Sequence, residues 1–171
     1  VAGLEAKNEI LALSKMNHKK LIKTTGTITV NKKIESVFEF FANPSNDNLW
    51  RTEINKSILN GNLQLGVTVS EYSRLSEKKP NNLMELLCTQ FDKNKLAIFE
   101  THHNAQFYLK SQREVKAISH NTTEILYTLH FDINLVKHAL GFNLPIFIVS
   151  FKANSDLKKY LLQLKTILEN D

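Results

Sequence analysis

Val30-Asn31-Lys32-Lys33-Ile34-Glu35-Ser36-Val37-Phe38-Glu39-Phe40-Phe41-Ala42-Asn43-Pro44, with Trp50 a little further on, is the stretch whose reading decides the fold. The hydrophobic period changes inside it. Upstream, Thr25, Thr27 and Thr29 alternate with Gly26, Ile28 and Val30, the two-residue period of a strand over 24–33. Asn31-Lys32-Lys33 ends that strand. From Ile34 onward, Ile34, Val37, Phe38 and Phe41 fall on one face of a short helix, with Phe40 on its flank. Asn43-Pro44-Ser45-Asn46-Asp47 breaks the helix, because a proline disfavours helical geometry in the residue before it. A second short helical turn then runs to Trp50.

Downstream, short polar breaks separate apolar runs, which predicts strands near 54–60, 67–75, 83–91, 96–102, 106–117 and 123–133. Connections this short join antiparallel neighbours, since parallel strands need long crossovers. Two strands can be oriented. Ile125, Tyr127, Leu129, Phe131 and Ile133 face one way in the last; Ala105, Phe107, Leu109, Val115 and Ala117 do so in the one before, with Ser111 and Arg113 on the same side. A sheet with one apolar face needs a covering layer. Residues 144–169 supply it: Leu157, Leu161, Leu164 and Leu168 recur at helical spacing, and Pro145 is placed at the first turn.

Composition sets outer bounds. The chain has 171 residues, 42% hydrophobic, with five Gly, three Pro and one Cys, which suits one globular domain. A single cysteine excludes an internal disulfide, and no Cys/His cluster has zinc spacing. No apolar run reaches the ~20 residues of a transmembrane helix. Ile10-Leu11-Ala12-Leu13 is too short for a signal peptide, so a cytoplasmic protein without stable membrane insertion is expected. Residues 1–33 hold seven Lys and two Glu, a net of +5, whereas 34–171 hold 15 basic and 15 acidic residues and are neutral. With only three Arg in the chain, base readout in nucleic acid is not expected. Residues 1–23 read as a basic leader with helical spacing to about Ile22, and 24–171 as the domain. The chain opens on Val1, and Met16 offers an alternative start that would make the first fifteen residues foreign.

The element order, together with the stretch from Val30 to Pro44 and Trp50, resembles the START-like, or Bet v 1-like, helix-grip superfamily (SRPBCC), most nearly its polyketide cyclase/dehydrase and lipid-transport group. The resemblance covers about residues 24–171 and includes the glycine pair Gly61 and Gly66 and the Leu/Lys-rich final helix. It implies an α+β helix-grip fold: a seven-stranded antiparallel curved sheet around a long C-terminal helix, two short helices after the first strand, and an elongated cavity between sheet and helix. It brings no shared catalytic motif, cofactor or metal, so the catalytic residues are unknown.

The leading expectation is binding of a small hydrophobic or amphipathic molecule, lipid-like or aromatic, in that cavity. The candidate contacts are Trp50, Phe107, Leu109, Ser111, Arg113, Tyr127, Leu129, Phe131, Leu140, Phe142, Phe147, Leu157 and Leu161. An inward Arg113 could hold a ligand carboxylate; at a cavity mouth it would snorkel into water instead. Tyr127 needs a partner for its hydroxyl, from the wall or from a ligand. Trp50 either plugs the core or borders the entrance. His138 to Asn143 either forms a flap, with Leu140 and Phe142 over an apolar opening, or tucks both into the core. Cys88 is a small buried hydrophobe. The first alternative is a cyclase/dehydratase-type enzyme, with Glu100 and His102 on one strand face, or Tyr127, as acid and base. The second is a chaperone-cofactor-like interaction module, favoured if side chains fill the cavity. A homodimer is left open.

Overall fold

The computed structural model describes residues 20–170. Seven strands, β1 (Leu21–Val30), β2 (Ile54–Leu59), β3 (Thr68–Ser73), β4 (Asn82–Asp92), β5 (Leu96–Thr101), β6 (Leu109–Ser119) and β7 (Thr122–Asp132), form one sheet. Its order is β1-β7-β6-β5-β4-β3-β2, antiparallel throughout. The meander β2–β7 follows from short polar turns, and β1 closes its far edge against β7. Register shifts at Ile54/Lys56, Cys88/Gln90 and Ala117/Ser119 bend the ladder, as one extra residue on one strand does. The sheet thereby curls around the long helix α4 (Ile146–Asn170).

Between β1 and β2 lie α1 (Ile34–Phe41), a 3-10 turn (Pro44–Asn46) and α2 (Asp47–Trp50). Val37, Phe38 and Phe41 bury the apolar face of α1. The Asn43 side chain accepts from Ser45 N at 3.0 Å, and Pro44 opens the turn where its missing N–H costs nothing. This interruption redirects the chain so that Asp47 and Trp50 point into the core.

Helix α4 buries Val149, Leu157, Leu161, Leu164 and Leu168 against the concave face. Its closest approach is to β1 at Gly26, where a Cβ would come 2.6 Å from Leu161 Cδ1. Thr24 Oγ1 bonds Asn154 in the same seam, and Lys165 Nζ donates to Thr29 O at 2.7 Å. Strand and helix therefore run alongside each other in the same direction.

Several boundaries differ from expectation. β1 starts at Leu21, so helical spacing does not extend to Ile22; the ladder to β7 pairs Leu21 with Asp132 and Ile22 with Phe131. The rest of the leader lies outside the described residues. Residues 102–108 form a turn, and β6 begins only at Leu109. Ala117 is exposed beside the β6 irregularity instead of facing the core. Ile133 ends no strand but opens an additional helix, α3 (Ile133–Leu140), because Asp132 caps it by accepting from Asn134 N at 2.9 Å. Gly141, at φ 84°, terminates α3 in the left-handed conformation that glycine adopts without penalty. Pro145 precedes α4, and its carbonyl accepts from Ile148 N and Val149 N.

Candidate functional site

The space between sheet and helix divides into a filled half and an open half. In the open half, two adjoining chambers share Leu75, Phe131, Leu135, Ala153 and Asp156 as walls. The first, about 240 Å³, adds a polar set: Thr24, Arg51, Glu53, Glu71, Ser73 and Tyr160, with Arg74 among its walls. The second, about 540 Å³, is bounded mostly by aliphatic side chains of α3, α4 and their connection, including Val136, Leu140, Leu144 and Ile148. The opening has a sequence cause. Along the buried stripe of α4, the position between Val149 and Leu157 is occupied by Ala153, too short to reach the sheet.

The polar chamber is backed by a buried ion network. Arg51 donates from Nη1 to Asp47 Oδ2 and Glu71 Oε2, both at 3.1 Å, and from Nε to Glu53 Oε1 at 2.9 Å. Arg113 meets Asp47 as a fork, Nη1 to Oδ1 at 2.8 Å and Nη2 to Oδ2 at 2.6 Å. Arg51, Arg113, Asp47 and Glu71 are all nearly excluded from solvent. Burial pushes the Glu71 carboxyl above its ordinary range, opposed first by Arg51 and reinforced by Asp47 and Glu53. Burial also raises the Tyr160 phenol, with Glu53 and Asp156 adding to the shift. Glu53 Oε2 meets no partner at full hydrogen-bonding geometry among the described residues, and the Tyr160 hydroxyl lies within hydrogen-bonding reach of the Glu53 carboxylate.

The filled half is aromatic. Phe41, Trp50 and Tyr127 pack mutually, with ring centroids 5.4–5.8 Å apart, in tilted and edge-on arrangements favoured by the ring quadrupole. The Arg113 guanidinium lies 5.4 Å from the Phe99 ring centroid and within 6 Å of those of Phe41 and Tyr127. Its remaining donors go to Phe41 O at 2.9 Å and, from Nε, to Ser111 Oγ at 3.1 Å.

A curled seven-stranded antiparallel sheet gripping a C-terminal helix, with helices inserted after β1, is now defined. This is the START-like, Bet v 1-like helix-grip fold. No family model matches the sequence, and no curated protein matches it either. Solved structures do. A START superfamily protein from Mycobacterium smegmatis superposes with TM-score 0.68 at 10% identity, over 86% of this chain and 97% of its own. The Zhui aromatase/cyclase from Streptomyces sp. R1128 gives 0.62 at 14% identity, over 85% and 94%. Ara h 8.0201 gives 0.56 at 10%, over 89% and 100%. Identities this low establish the fold alone.

Within this helix-grip frame, the expected contacts separate into groups. Leu109, Leu129, Phe131 and Leu157 line the polar chamber, and Phe131 and Leu140 the apolar one. Leu161 packs on Gly26 beside a shallow outer groove. Ser111, Arg113 and Tyr127 point inward, as their alternation implies, yet they belong to the filled half with Trp50. Arg113 is neither at a mouth nor free for a carboxylate, because Asp47, Phe41 O and Ser111 take its donors. The Tyr127 hydroxyl accepts from Ser111 Oγ at 3.4 Å, so the wall supplies its partner. Phe107 sits against His138, ring centroids 5.1 Å apart, tying the β5–β6 turn to α3. Phe142 and Phe147 line neither chamber and are exposed.

Glu100 belongs to another surface altogether. It alternates with inward Phe99 and Thr101, accepts from Thr89 Oγ1 at 2.6 Å and from Tyr108 Oη at 3.0 Å, and lines a separate hollow with His102 and His103. An acid–base pair working on cavity contents is therefore not formed. The His102 and His103 rings lie with centroids 4.0 Å apart and planes tilted by 42°, just past Thr101, where β5 and its strand alternation end. Cys88 is buried, as expected. Among the described residues no cluster of metal-ligating side chains occurs, and no helix is long and apolar enough to cross a membrane.

Sequence reasoning missed Arg51, Glu53, Glu71, Leu75, Leu135, Ala153 and Tyr160. One signal was available for the helix: Ala153 interrupts an otherwise bulky core stripe, which marks a place where a core is left open. Asp47 and Glu71 carry no such signal, since a charged residue on a short element reads as exposed.

Proposed function

We propose that the chain binds one small amphipathic molecule, its apolar part in the α3–α4 chamber and its polar end against Glu53 and Arg51. The observation that carries this reading is the pair of adjoining chambers, one aliphatic and one polar, joined at Ala153. Such a division orients a ligand: apolar burial contributes about 25 cal/mol per Å², and a few polar groups fix direction. The charge balance narrows the polar end. In the buried network two guanidiniums face three carboxylates (Arg51 and Arg113 against Asp47, Glu53 and Glu71), so an anionic head meets no surplus cation there, and only the exposed Arg74 on the chamber wall stands outside that balance. Glu53 Oε2 is a buried acceptor with only the Tyr160 hydroxyl near it, and a ligand hydroxyl or N–H entering the chamber would take up its remaining acceptor capacity. A neutral head group that donates a hydrogen bond fits better than a carboxylate.

The aromatase/cyclase likeness, at 14% identity, supplies no chemistry, and the outward Glu100 weakens an enzymatic reading. Native mass spectrometry of freshly purified protein tests the proposal. A stoichiometric apolar adduct is expected, retained by Trp50→Phe and lost from Ala153→Phe, which closes the junction between chambers. An adduct that survives Ala153→Phe unchanged overturns it.

A further inference from the structure

The chain leaves an unusual amount of aromatic surface in water at one end. Phe147 and Phe151, one turn apart on α4, are 73% and 78% exposed, and Phe142 in the preceding connection is 57% exposed, with Ile146 beside them at 46%. This is a cap of bare hydrocarbon beside the apolar chamber.

Along the cap's own segment the charge has one sign. From Ile133 to Ser155 the sequence contains no Asp or Glu, while Lys137 and Lys152 stand exposed. The nearest following acid, Asp156, is already paired with Lys152. The start of β1 lies near the same end: Thr24 bonds Asn154 of α4, the Lys20 carbonyl accepts from Ile133 N at 3.0 Å at the start of α3, and Lys20 and Lys23 are exposed. All of the chain's net charge of +5 lies in residues 1–33.

We propose that this Phe142–Phe151 cap is a docking surface for an anionic phospholipid bilayer. Phenylalanine and isoleucine side chains enter the interfacial region, and flanking lysines meet the lipid phosphates, a combination that binds peripheral elements without spanning. Two alternatives fit less well. A two-fold contact between copies would set each Lys137 and Lys152 near their own counterparts. Protein hot spots favour Trp, Tyr and Arg, none of which occurs between Ile133 and Ser155. The inference does not rest on ligand binding in the cavity.

Flotation of the full chain with phosphatidylcholine vesicles, with and without phosphatidylglycerol, tests it. The chain is expected to float with the anionic vesicles and stay behind with the neutral ones. Phe147→Ser/Phe151→Ser, at surface positions that leave the fold intact by circular dichroism, should lower binding by about tenfold or more. Lys137→Gln/Lys152→Gln should lower it less, and salt should mimic that loss. Absence of flotation with anionic vesicles, equal flotation with neutral ones, or unchanged flotation of the double Phe variant overturns the proposal. So does a dimer that the double Phe variant converts to monomer. Retention of the native adduct by that variant separates this surface from the cavity reading.

Discussion

The two ends of the space under α4 use the same materials for opposite purposes. At one end Phe41, Trp50, Tyr127 and Phe99 surround Arg113 and leave no room. At the other, Ala153 faces Leu75, Leu135 and Phe131 across open volume. Both ends hold a buried arginine whose donors are paired internally, yet Arg51 also forms part of the chamber wall, whereas Arg113 is packed among aromatic rings. A charged residue aimed into an apolar interior is therefore not evidence of a ligand site by itself. What decides is whether a neighbouring side chain leaves space beside it.

The largest effect that would break this contrast is Asp47→Ala. Asp47 is the shared acceptor of both arginines, so its loss strands two buried guanidiniums. We expect a loss of about 3–5 kcal/mol in urea unfolding; a change within experimental error would mean that the filled end is not held by this network. Next comes Gly26→Val, which forces α4 away from β1 at Leu161. A destabilisation of about 1–3 kcal/mol is expected from overpacking, with Leu157 and Leu161 amides losing hydrogen-exchange protection.

A smaller effect separates the two ends by pH. Glu71 has a folded pKa raised above 4.5 by burial. The sign follows: its contribution is complete below 4.5 and is lost as pH rises through the folded value, when a buried carboxylate must ionise. Wild type should therefore lose melting temperature relative to Glu71→Gln as pH rises from 4.5. A constant difference across that window would show that Glu71 does not titrate in the fold.

Much of the architecture was legible because periodicity reports which face is buried. The switch from alternation at Thr25–Val30 to helical spacing at Ile34–Phe41, and the Leu157–Leu168 stripe, survive in the structure. Inward orientation of Ser111, Arg113 and Tyr127 was legible for the same reason. Their role was not, because alternation names a face and says nothing of what lies opposite. Asp47 comes from a four-residue helix and pairs with Arg113 across 66 positions. Helix α3 escaped notice because its eight residues continue the apolar run of β7; the Asp132 cap and Gly141 stop were its only marks. Ala153 was overlooked because an empty site is signalled by a small residue, which patterning treats as neutral.

The most direct test of the contrast is an amide NMR titration with a medium-chain fatty alcohol, an uncharged donor with an apolar tail. The account predicts saturable shifts centred on Leu75, Leu129, Leu135 and Ala153, with Phe41, Trp50 and Tyr127 unmoved. Shifts centred on Trp50, Arg113 and Tyr127 would contradict it and make the aromatic end the binding site.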